Sequence, residues 1–195
     1  MMLTGMLIRA LEKFERQWSF DAAYLKEIAA AKPAALIRFQ FSHQPKPPAK
    51  TLPPAAYHTA KLVSVLREDC GTCAQLMVDM ALADGVSPDT ISAVIEGRFD
   101  AVDEELATVY QYVSTISDGQ NAEELAYRLR AIYSDEALVA LLFAASEART
   151  YPFLKRGLGH AKTCERLRVG DRMSTKGGSS PAPVSPDIDG TVLSQ

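Results

Sequence analysis

Leu3, Leu7, Leu11, Phe14 and Trp18 recur at steps of four, four, three and four, with Arg9, Glu12, Lys13 and Arg16 between them. That spacing is one stripe of an amphipathic helix, better suited to core or partner packing than to a membrane surface. Asp21 caps a second helix expected to reach Ala31 and to stop before Pro33, because the residue before a proline is pushed out of the helical region. Pro33 can open a short helix to Phe39. The run Ser-His-Gln-Pro-Lys-Pro-Pro-Ala-Lys-Thr-Leu-Pro-Pro over 42–54 cannot form a regular ladder and predicts a loop. Pro53 and Pro54 start the next helix, over 55–67, and another follows over 70–83 with Gly85 as its stop. Ser87-Pro88-Asp89 supplies an N-cap, a proline at the first helical position and an acid in the first turn, for a short helix ending at Gly97.

Leu106, Val109, Tyr110, Val113 and Ile116 mark a further helix. Asn121 and Ser134 each cap one more, the latter facing its core with Leu138, Leu141, Leu142 and Ala145. Tyr151-Pro152 is read as a break, with a last helix to about Arg168. No run alternates apolar and polar residues convincingly. The expected fold is therefore an all-α, single-domain helical bundle. Its parts are N-terminal helices over 1–41, a Pro-rich loop over 42–54, a helical core over 55–169 and a disordered tail over 170–195.

Composition narrows the function. The 195 residues are 47% apolar and 23% charged, with a net charge of −3, which is ordinary for a globular chain. Nothing resembles the basic face that nucleic acid requires. The N-terminus has no basic stretch before its apolar residues and no small-residue cleavage site, so no signal peptide or membrane span is read, and the default location is cytoplasmic. Three cysteines make a poor disulfide framework. A C-x-x-C pair in such a chain points to redox or metal chemistry.

That pair is Cys70-Gly71-Thr72-Cys73. With Asp69 as N-cap, both cysteines sit in the first turn of a helix, where unpaired N–H groups and the positive end of the macrodipole favour thiolate. Glu68 and Asp69 oppose this with negative charge. A Glu68 made partly neutral by burial would instead exchange protons with the thiols. His58 is the other candidate base, since His58, Leu62, Val65 and Asp69 would share a helix face. Spacing does not say which sulfur attacks. A competing reading is a Cys₃His zinc site built from Cys70, Cys73, His160 and Cys164. Inert core thiols are the third. His160 alone reads as a capped or core histidine, and His43 as a solvated loop residue. Met77 and Met80 read as core filler that leaves an apolar pocket beside the sulfurs, suited to an organic hydroperoxide. Lys155, Arg156, Lys162, Arg166 and Arg168 read as a solvated face.

Cys70-Gly71-Thr72-Cys73, followed by Met77, Met80, Ala81, Ala83, Gly85 and Ser87-Pro88, resembles the carboxymuconolactone decarboxylase and alkyl-hydroperoxidase D-like family. The likeness covers about 57–97. It implies an all-α fold, a homo-oligomer, and a C-x-x-C peroxidase or disulfide reductase that cycles between dithiol and disulfide. It also implies an organic hydroperoxide or disulfide substrate, a thiol reductant protein as electron donor, and no bound cofactor. The family's peroxidase members have a glutamate where this chain has His58, and a histidine where it has Met77. An aromatic residue or histidine is common where Thr72 stands. The sulfurs therefore carry over and the proton relay does not, which leaves His58 or Glu68 to move the proton.

Overall fold

A computed structural model of the chain describes residues 2–41, 43, 46–160 and 166–174. Among these, nine α-helices, one 3₁₀ turn and a two-stranded hairpin follow one another. The helices are α1 (Met2–Trp18), α2 (Ala23–Ala31), α3 (Pro33–Phe41), α4 (Pro54–Arg67), α5 (Gly71–Ala83), α6 (Pro88–Glu96), α7 (Glu104–Ser117), α8 (Glu123–Ile132) and α9 (Asp135–Gly157). The strands are β1 (Leu167–Val169) and β2 (Arg172–Ser174). The bundle is all-α in class, as the periodicity predicts.

Helix starts follow their local signals. Ser87 Oγ accepts from the Thr90 N–H at 3.0 Å, and Ser134 Oγ from the Ala137 N–H at 3.1 Å. Asp21 and Asn121 each accept from a backbone N–H two residues on, one position ahead of the formal cap. Gly97 ends α6 at φ 69°, a left-handed conformation that glycine takes without a Cβ penalty.

α4 is the axis of the bundle. Every residue from Ala56 to Ala60 is buried, as are Leu62 to Val65, because α5, α6, α7 and α9 surround it. α1, α2 and α3 form an N-terminal layer whose Phe20, Tyr24, Leu25 and Leu36 join the same continuous core. Leu7, Leu11, Phe14 and Trp18 of α1 pack against that core, as their stripe predicts.

Two expectations about the C-terminal part are overturned. Pro152 does not end a helix: α9 runs through it to Gly157, with Pro152 buried. A proline removes one backbone donor. The dense apolar packing of α9 on α4 outweighs that loss. Arg168, expected at the end of a final helix, lies in a strand, and 161–165 of that expected helix fall outside the described residues. Leu167–Val169 instead pairs antiparallel with Arg172–Ser174, and Leu167 and Val169 are buried on either side of exposed Arg168. Gly170, expected to open a disordered tail, makes the hairpin turn at φ 58°. Gln75 clamps the hairpin to α5, donating to the Arg168 carbonyl at 2.9 Å and accepting from its N–H at 2.8 Å. The rest of the expected tail, 175–195, lies outside the described residues.

Among the described residues, α9 alone is long and apolar enough to cross a membrane by length and composition. Its inner face, including Leu138, Leu141, Ala144, Ala145 and Ala148, is core of the bundle. Val139, Phe143 and Phe153 are exposed on the other side, and so is Leu142, which was expected to face the core.

Candidate functional site: a buried disulfide between two charged anchors

Cys70 and Cys73 are joined as a disulfide, with their Cα atoms 5.3 Å apart, and both are buried. The N-cap is Cys70 itself, not Asp69. Asp69 precedes it at φ 51°, a left-handed turn that aspartate tolerates better than most residues. That turn reverses the chain between α4 and α5. It also takes Asp69 off the helix face on which His58 lies. The first backbone bond of α5 is Ala74 N–H to Cys70 C=O at 2.9 Å. The N–H groups of Gly71, Thr72 and Cys73 therefore have no partner within the helix and lie at its positive end, beside the sulfurs.

Glu68 is clamped. Arg149 Nε donates to Oε1 at 2.7 Å and Arg156 Nη2 to Oε2 at 2.5 Å. Arg156 Nη1 also donates to the Glu68 backbone carbonyl. Burial alone would raise the Glu68 pKa, but the hydrogen bonds and charges of Arg156 and Arg149 outweigh it and hold the carboxyl below its ordinary value. A partly neutral, proton-exchanging Glu68 does not fit this geometry. Its place is that of an anchor tying the α4–α5 turn to α9.

His58 is buried and turned to Asp84, with Nε2 and Oδ2 2.5 Å apart, while Lys46 Nζ holds the other oxygen at 2.8 Å. Burial pushes the His58 pKa down despite Asp84. The ring is thus neutral near neutrality, with Nδ1 buried and without a hydrogen-bond partner. His58 is not among the residues that share a cavity with Cys73. His43, expected to be solvated, has Nδ1 2.6 Å from the Phe39 carbonyl, and its ring packs against Phe39 and Tyr151. His160 Nε2 lies 2.9 Å from Glu27 Oε2. Among the described residues no three His, Cys, Asp or Glu side chains group as metal ligands, and Cys164 of the Cys₃His set lies outside those residues.

The side chain that the sequence did not single out is Lys155. Expected on a solvated face, it is 1% exposed. Its Nζ donates to Thr72 Oγ1 at 2.9 Å, and that oxygen lies 3.7 Å from Cys70 Sγ. Thr72 Oγ1 thus accepts from Lys155, and because the disulfide sulfur carries no proton, the Thr72 hydroxyl is the donor towards Cys70. Lys155 also lies over the rings of Phe20 and Tyr24, at 4.7 and 5.7 Å from their centroids. Arg156 stays exposed, as expected, but is tied down there by its bonds to Glu68. The unbroken course of α9 makes both arrangements. Arg149 and Arg156 are two turns apart and reach one carboxylate, and Lys155 reaches the Thr72 hydroxyl beside Cys70.

Cys73 borders a cavity of about 380 Å³. Leu11, Phe14, Leu36, Met77 and Met80 are among its apolar walls, while Gln40, Lys61 and Tyr151 are polar. The apolar pocket read from Met77 and Met80 is therefore present. Burial pushes the Tyr151 phenol up to about 12, so it keeps its proton. A second, more polar groove passes Thr72, Gln75 and Asp79 and shares Phe20 and Leu76 with the cavity as walls.

No family model, curated protein or solved structure matches this chain. What the structure defines is an all-α bundle with a C-x-x-C disulfide at the start of a buried helix, compatible with redox chemistry.

Proposed function

We propose that the protein is a dithiol oxidoreductase of the alkyl-hydroperoxidase D-like kind, in which Cys73 meets the substrate and Cys70 resolves. The observation that carries this reading is the unequal surroundings of the two sulfurs. Cys73 borders the apolar cavity, whereas Cys70 stands beside Thr72 and, through it, Lys155. In the reduced enzyme the Cys73 thiolate attacks the terminal oxygen of an organic hydroperoxide, the O–O bond breaks, and the departing alkoxide takes a proton from water to leave as the alcohol, with a sulfenic acid on Cys73. The Cys70 thiolate then attacks Cys73 Sγ, and the hydroxyl leaves with a proton as water. Two electrons pass from the thiol pair to the O–O bond. A thiol reductant protein reverses the oxidation by attacking Cys73 Sγ, expelling Cys70 as thiolate and ending as its own disulfide. A leaving thiolate departs faster the more its negative charge is stabilised, which is the service of Thr72 and Lys155. The expected homo-oligomer would cover the exposed Val139, Leu142, Phe143 and Phe153 face of α9.

Thiol counting tests this reading. The reduced protein is expected to lose two thiols on mild treatment with cumene hydroperoxide and to recover both with dithiothreitol. Cys70→Ser should stop at a sulfenic acid trappable by dimedone, and Cys73→Ser should consume no peroxide at this site. Peroxide consumption by Cys73→Ser equal to that of the wild type overturns the assignment.

A further inference from the structure

Lys61 is the one charged side chain among the described residues that line the cavity beside Cys73. It projects from α4, one turn beyond His58, and its Nζ lies 5.2 Å from the centroid of the Tyr57 ring. No described carboxylate forms an ion pair with it. Glu147 and Asp84 act on it only through space. Burial there disfavours the ammonium, and removing a charge from water without a paired opposite charge is costly. Tyr151 and Gln40, the first with its phenol proton retained, line the same cavity. The remaining walls are almost wholly apolar, and about 380 Å³ falls within the ~300–1,000 Å³ typical of small-molecule pockets.

We propose that this cavity binds a small apolar carboxylate, its chain against Phe14, Leu36 and Met77 and its headgroup paired with Lys61 beside the Tyr151 hydroxyl. A neutral ligand would strip water from the Lys61 ammonium and return nothing, whereas a carboxylate restores a charged partner in a site of low polarity. Cys73 lines the same space, so a reactive group carried on the chain would lie next to its sulfur. As an assignment of the substrate class, the proposal rests on the oxidoreductase reading. Occupancy of the cavity does not.

The test is calorimetric titration of the disulfide form with decanoate, decanol and decyltrimethylammonium, below the concentrations at which they self-associate. Decanoate is expected to bind at least about tenfold more tightly than decanol, and the cation not at all. Lys61→Met should erase the preference for decanoate, Lys61→Arg should keep most of it, and Met77→Trp, which fills the cavity, should weaken decanoate and decanol together. Equal binding of decanoate and decanol by the wild-type protein, or no saturable binding of decanoate, overturns the proposal. That comparison stands even if Lys61→Met fails to fold. Decanoate binding by a protein whose thiols ignore hydroperoxide would overturn the enzymatic reading alone. Thiol cycling without decanoate binding would overturn this one alone.

Discussion

Lys155→Met is expected to slow the opening of the Cys70–Cys73 bond by dithiothreitol about tenfold at neutral pH, because Cys70 then leaves as a less stabilised thiolate. A lysine 1% exposed gives up most of its hydration, and a cation in such a place strongly favours a nearby anion over a neutral group. The disulfide carries no charge, whereas the reduced pair can carry one. Lys155 therefore stabilises the product of reduction more than the starting material. Its bond to Thr72 aims the Thr72 proton at Cys70 and not at Cys73. In the reduced form the Cys70 thiol should ionise at a higher pH in Lys155→Met than in the wild type, read from thiolate absorbance. Methionine fills much of the same slot against Phe20 and Tyr24. The unfolding midpoint should accordingly move little, since replacing a buried charge with an apolar side chain of similar length is often neutral. Lys155→Arg should restore part of the rate. An unchanged opening rate together with an unchanged thiol titration would show Lys155 to be only a packing residue.

How much of this was legible in the sequence depends on the range over which each feature is determined. Helices α6 and α9 begin where Ser87 and Ser134 predict, because an N-cap hydrogen bond spans three residues and needs no tertiary help. The cysteine spacing marked the pair for the same reason, while its pairing as a disulfide rather than as zinc ligands or inert thiols came from the structure. Pro152 misled because its local cost is real, yet the apolar face of α9 packed on α4 repays it, and that packing is invisible in a window of a few residues. The hairpin was missed because three-residue strands are too short for alternation to register. The two-residue Gly170-Asp171 turn was the signal that could have found it. Charge patterning failed at Lys155, which is buried, and at Arg156 it caught the exposure but not the ion pair. Their partners Thr72 and Glu68 are more than eighty residues away in sequence. His58 failed in the converse way. Its helix does lead to the cysteines, but Asp84 at the far end of α5 holds its ring.

Glu68→Ala is expected to destabilise the fold by about 1–3 kcal/mol, the range for leaving hydrogen-bonded groups without their partner. Both carboxylate oxygens are taken, and the side chain is only 11% exposed. Losing it leaves two guanidinium groups facing one another with nothing between them. The arginines are 40% and 43% exposed, so water recovers part of the loss, and the lower half of the range is the better expectation. The same clamp sets an acid dependence. Glu68 ionises in the folded state below its ordinary value of 4.5, so its contribution is fully present above that value and is lost as pH falls through the depressed folded value. Urea unfolding of wild type and Glu68→Ala should therefore differ most near neutrality and converge in acid. The double variant Glu68→Ala/Arg149→Met should cost less than the two single changes added together, because each single change strands the other's partner. A Glu68→Ala protein as stable as wild type at neutral pH, or a difference that persists undiminished in acid, would dissociate Glu68 from the clamp. The turn it anchors carries Asp69 at positive φ directly before Cys70, so loosening the clamp should also expose the disulfide. Dithiothreitol is then expected to open the bond faster in Glu68→Ala, the opposite sign to Lys155→Met. Opposite signs from two charged groups flanking one disulfide separate an effect on access from an effect on the leaving thiolate.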